Sequence, residues 1–144
     1  MLDEGINVCL GTDGQGSGSN LDMFEAMKFA ALLQKGAFED ARNMDSYEVL
    51  KMATINGAKA LGLDREIGSI EEGKKADIIL IDLDTEVTNP IGTIFSDIVY
   101  NAKGSNVSHT IINGKLLMED GEIEKIDKYE IFKRCKDIIE KISE

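Results

Sequence analysis

Gly5-Ile-Asn-Val-Cys-Leu-Gly-Thr-Asp-Gly14 is the stretch that decides the fold. Within it, Ile6–Leu10 is a short apolar run of the kind buried on both faces of a parallel sheet. Asp13 follows that run, ahead of a flexible polar loop that continues through Ser19 to Asn20. A helix then begins. A carboxylate at the end of a buried strand, followed by glycines and a helix, stands where parallel α/β folds place their ligands. Parallel strands need neighbours delivered by crossover units, yet only five residues precede Ile6. Either later strands flank this one or its partner strands lie outside the chain, which is the first sign of a fragment.

Downstream, Asn20 is the expected N-cap of a helix over residues 21–35, with Asp22 favourably placed against the helix dipole. Leu21, Met23, Phe24, Met27, Phe29, Ala30, Ala31 and Leu33 cover most of its circumference, and Glu25, Lys28 and Lys35 mark a narrow polar stripe. Such a helix packs into something large. A second helix is expected from a cap at Ser46 to Leu61, stopped by Gly62. From Ile67 the pattern turns to β, with strands expected over 77–82, 96–101, 107–112 and 115–118. Asn113-Gly114 is a hairpin signal requiring positive φ. An amphipathic helix closes the chain over 127–143, with Asp127 and Glu130 at capping-box spacing and Ile131, Cys135, Ile138 and Ile142 on one face, placed to cover the strands.

Asp13 admits three readings. Asp-Gly is a common turn pair, so Asp13 can be a turn or capping residue. A phosphate cradle would use the glycines, but they run G-x-G-x-G from Gly14 to Gly18, without the dinucleotide spacing and without a following Gly-Lys-Ser/Thr. A metal ligand that also carries a proton is the third. The lone histidine, His109, falls in an expected strand and reads as a sheet residue rather than a ligand.

Composition narrows the function classes. The 144 residues carry 27 acidic and 16 basic side chains, a net charge of -11. That surface repels phosphate backbones, and no basic cluster is interleaved with aromatics, so nucleic acid is not the expected partner. No apolar run approaches the roughly 20 residues that cross a bilayer, so no membrane partner is expected either. The start shows no signal-peptide pattern. Cys9 and Cys135 have no motif spacing and read as reduced thiols of a cytoplasmic protein.

Several blocks carry a family resemblance: residues 5–14; Ser19-Asn-Leu-Asp-Met-Phe-Glu-Ala-Met-Lys28; Met52-Ala-Thr-Ile-Asn-Gly-Ala58; Ile67-Gly-Ser-Ile-Glu-Glu-Gly-Lys74; Ala76-Asp-Ile-Ile-Leu-Ile-Asp82; and Ile111-Ile-Asn-Gly-Lys115. In this order they resemble the amidohydrolase superfamily over residues 5–115. Within it they are most similar to the branch of S-adenosylhomocysteine/methylthioadenosine deaminases and chlorohydrolases. The resemblance implies an α/β chain: the C-terminal fragment of a metal-dependent (β/α)8 barrel, with its last strand and helices, plus part of a small composite β-sandwich and a terminal helix. The implied sections are 1–64, 65–126 and 127–144.

Asp13 matches the family aspartate that is both metal ligand and catalytic acid–base group. The substrate-binding residues stay unknown. A divalent metal, zinc or iron, is implied for the complete enzyme, and none is expected to bind tightly to this chain alone, because the metal-binding histidines belong to earlier strands. The implied partners are the N-terminal barrel portion or another copy of the chain, and a small-molecule substrate in the complete enzyme. The parent reaction is hydrolytic deamination of a purine nucleoside or related ring, such as S-adenosylhomocysteine or methylthioadenosine. The alternative is a non-enzymatic α+β interaction module or split-enzyme subunit, with dinucleotide binding third.

Overall fold

Asp22, not Asn20, starts the first long helix. In the computed structural model, which describes residues 1–18, 20–86, 88–123 and 126–143, Asp22 caps α1, Met23–Phe38, its Oδ1 accepting from the Phe24 amide at 2.9 Å. Asn20 sits two residues earlier, its Oδ1 accepting from the Asp22 amide at 2.8 Å. The other Asp22 oxygen receives the amide of Gly104 at 2.9 Å. A carboxylate serves two amides at once, which explains why it displaces the asparagine. At the far end, Lys35 leaves its expected polar stripe and donates to the carbonyls of Ala41 and Asn43, turning the chain back.

The next helix also starts on an aspartate. Asp45 Oδ1 accepts from the amides of Tyr47 and Glu48 at 2.9 and 3.0 Å, so Ser46, the expected cap, becomes the first residue of α2, Ser46–Ala53. The single helix expected to reach Leu61 breaks at Thr54, where φ is -128° and ψ -98°, and resumes as α3, Ile55–Ala60. Gly62, at φ +71°, ends it as expected.

Three antiparallel strands follow in the order β1-β2-β3: β1 Ile78–Ile81, β2 Val107–Ile112 and β3 Lys115–Met118. The β2–β3 turn has Asn113 at φ 50° and Gly114 at φ 75°, the twist-matched hairpin geometry. Two strand expectations fail. Ile6–Leu10 is extended but joins no ladder; Leu10 N donates to the Met52 carbonyl of α2 instead. Among the described residues no strand pairs with it, and a lone strand cannot satisfy its backbone. Residues 96–101, despite β-branched and aromatic residues, are helical: Ile94–Ser96 runs into a π turn over Asp97–Asn101. Asp97, 4 % exposed, accepts from Gly92 N at 2.9 Å and Asn101 Nδ2 at 2.8 Å. Those bonds, with full burial of Val99, outweigh β propensity.

The core joins Phe24, Met27 and Ala31 of α1 to Val49 of α2 and to Val99 and Ala102, with Ile81 and Val107 of the sheet packed against it. It therefore contains residues from both sides of residue 64. The final helix, α4, Lys128–Ser143, is capped by Asp127, whose Oδ1 accepts from the Tyr129 and Glu130 amides. It does not cover the strands, for every described residue in it is exposed. Ser19 of the expected polar loop lies outside the described residues, as do Glu124 and Lys125 near the expected boundary at 126.

Gly68 presses on α3. At φ +92°, a Cβ there would sit 2.7 Å from Ala58 Cβ and 3.0 Å from Ile55 Cα, whereas Gly73, at φ +88°, faces open space. Gly73→Ala is expected to cost about 1–2 kcal/mol for left-handed backbone alone. Gly68→Ala carries the same cost plus the collision, so its urea midpoint should fall clearly below that of Gly73→Ala. Equal midpoints would mean that α3 does not pack on this turn.

Candidate active site

Asp13 sits at the end of the extended segment, in left-handed backbone at φ 60°. Asp tolerates that region because its short polar side chain bonds locally. Here Oδ1 accepts from the Gly14 amide at 2.6 Å, and Thr12 Oγ1 donates to the Asp13 carbonyl at 3.1 Å. Among the described residues, Oδ2 takes no such bond. The side chain is exposed, and a single helical turn, Gln15–Gly18, follows it.

The segment leading to Asp13 is held from one side. Asn56 Nδ2 donates to the Val8 carbonyl at 3.0 Å, Asn7 Nδ2 donates to the Asn56 carbonyl at 3.0 Å, and Leu10 N donates to the Met52 carbonyl at 3.0 Å. Asn56 is only 8 % exposed. Sequence reasoning missed it as an anchor; the available signal was an Asn-Gly pair, two poor helix formers, inside an expected helix.

Two open cavities flank α1. One, of about 390 Å³, lies between α1 and residues 100–103, with Asp22, Phe29, Leu32, Tyr100 and Lys103 in its wall. The other, of about 160 Å³, is lined by Gly11, Thr12, Asn20 and Glu25. Asp13 lines neither. His109 is in β2, with Nδ1 3.0 Å from Ser108 Oγ and Nε2 4.0 Å from Asp120 Oδ1. This is the sheet position expected of it. Cys9 and Cys135 are free thiols.

A metal tests the donor set. Among the described residues, no group of three or more His, Cys, Asp and Glu side chains could hold an ion, whereas catalytic zinc takes three protein ligands. Asp13, with Oδ2 open, fits one ligand position of such a site. The described residues add no second and third donor beside it.

Residues 1–117 match the model of the Amidohydrolase family. The chain belongs to the amidohydrolase family. This amidohydrolase is 49 % identical over 143 residues to the 5-methylthioadenosine/S-adenosylhomocysteine deaminase of Caldanaerobacter subterraneus subsp. tengcongensis, a match over 96 % of the chain and 33 % of that protein. It is 44 % identical over 145 residues to the 5'-deoxyadenosine deaminase of Methanobrevibacter smithii, covering 100 % of the chain and 33 % of the relative. Among solved structures it superposes on a zinc-bound adenosine deaminase from Xanthomonas campestris with TM-score 0.95 and 34 % identity, over 99 % of this chain and 32 % of that one. A zinc complex of atrazine chlorohydrolase from Arthrobacter aurescens matches with TM-score 0.84 and 28 % identity, over 96 % and 31 %. The amidohydrolase chain thus spans about a third of the length of the curated relatives it matches. Among its described residues, no helix is long and apolar enough to cross a membrane.

Proposed function

We propose that this chain is the C-terminal portion of a cytoplasmic metal-dependent deaminase acting on a purine nucleoside such as methylthioadenosine or S-adenosylhomocysteine. The observation that carries the reading is identity of 49 % or more to such deaminases across nearly the whole chain. A free-standing interaction module would have no reason to keep that likeness through the loop that bears Asp13. In this reading residues 1–64 end a (β/α)8 barrel, 65–126 supply part of a small β-sandwich, and 127–144 add the terminal helix. The strands that would pair with Ile6–Leu10 come from the N-terminal portion.

The bound divalent metal, zinc or iron, would supply an acidified water near neutral pH. Asp13 would hold one ligand position and take a proton from the attacking water. It would then return that proton to the departing amine, so one carboxylate does both base and acid work. The left-handed turn at Asp13 supports the role, because Oδ1 is held on Gly14 N and the side chain stays exposed.

A chimera tests this. Residues 1–144 would replace the matching third of the Caldanaerobacter deaminase. The chimera is expected to release ammonia from methylthioadenosine or S-adenosylhomocysteine in a coupled assay. A folded, metal-loaded chimera without turnover would overturn the reading.

A further inference from the structure

We propose that Asn7 and Asn56 are positioning residues that set Asp13 through a reciprocal clasp; the inference rests on Asp13 being the proton-carrying carboxylate. The break at Thr54 is the physical basis. In an unbroken helix the Met52 carbonyl would serve the Asn56 amide four residues on. At the break it serves Leu10 N instead, at 3.0 Å. Asn56 then sends its side-chain donor to Val8 O and offers its own carbonyl to the Asn7 side chain. Asn7, Val8 and Leu10 are thereby fastened to one point on the helices, all by hydrogen bonds spanning more than forty residues of sequence.

The clasp ends just short of the site. Leu10 is the last of these fastened residues, and Gly11 and Gly14 bracket Thr12 and Asp13 with permissive backbone. Strands docked from outside would hold the segment along its edges, while the clasp holds its helix side. Asn56 is buried and its donor satisfied, and Gly68 packs on α3 against Ile55 and Ala58, the neighbours of Asn56 and Gly57. The anchor is therefore itself wedged. A displacement near 1 Å at a reacting group costs on the order of 100-fold in rate, so loosening the clasp should appear in kcat rather than in substrate affinity.

The test uses the active chimera with Asn7→Ala, Asn7→Gln and Asn56→Ser. Asn7→Ala and Asn56→Ser should each lower kcat by roughly 10- to 100-fold while KM stays within about twofold. Asn7→Gln, which keeps the donor, should recover most of the loss. Amide exchange should speed up over residues 8–14 and stay unchanged in β1–β3. Asn7 is exposed, so Asn7→Ala decides the matter if Asn56→Ser misfolds. A chimera that depends on Asp13 yet keeps its kcat in Asn7→Ala would overturn the clasp alone. A chimera whose Asp13→Asn variant keeps its turnover would overturn the reading of Asp13 and this inference with it.

Discussion

Asp13→Asn in the active chimera is expected to lower kcat by about two to four powers of ten while leaving the denaturation midpoint nearly unchanged. Asn is the informative replacement because, like Asp, it accepts left-handed backbone, and Asp13 stands at φ 60°. Its amide oxygen can still receive the Gly14 amide, so the turn survives. What is lost is an oxygen able to take and return a proton. Asp13→Ala would mix that loss with backbone strain of about 1–2 kcal/mol and could not separate them. Steady-state kinetics beside urea unfolding would make the distinction, and near-normal turnover in Asp13→Asn would reduce Asp13 to a turn residue.

The 144-residue chain by itself should behave differently from the chimera in two ways. It should release no ammonia above blank from methylthioadenosine, S-adenosylhomocysteine or guanine, even with added metal, because the described residues offer no set of three metal ligands where a catalytic zinc site needs three. It should also self-associate. Phe29 is 55 % exposed and Leu33 65 % on α1, and Ile142 is 79 % exposed at the end of α4. Monomers seldom carry contiguous apolar patches beyond a few hundred Å², and large apolar side chains left this open favour contact with another chain. Light scattering should therefore report dimers or larger species. A monodisperse monomer would show that these faces tolerate water, and turnover by the isolated chain would refute the need for outside ligands.

Much of the fold is legible locally. Asn113-Gly114 names its hairpin because both residues accept positive φ, and α4 begins at Asp127 because an aspartate there can accept two amides. The failures share one cause. The break at Thr54 and the π turn at Asp97 are settled by partners far along the chain or by burial, as in Leu10 on Met52 and Val99 in the core. Periodicity cannot register such partners. Asp22 is a milder case: its capping role is visible in sequence, but its bond to Gly104, 82 residues away, is not. At the candidate site, Asp13 is proposed from its position after an apolar run and from family likeness. The Asn56-Gly57 pair hints at a disturbed helix, but the partner of Asn56, a carbonyl 48 residues earlier, does not show in the sequence.

The layout of the core also sets a schedule during synthesis. α1 is translated before its partners: its buried residues Phe24, Met27 and Ala31 pack with Val99 and Ala102, which leave the ribosome about seventy residues later. At roughly 5–20 residues per second, that face waits about 4–14 s for its covering. Val49 arrives sooner but protects only part of it. A nascent chain of this sequence should therefore hold a sticky helix in the open for several seconds, a natural client for a chaperone that binds apolar segments before Val99 and Ala102 are made.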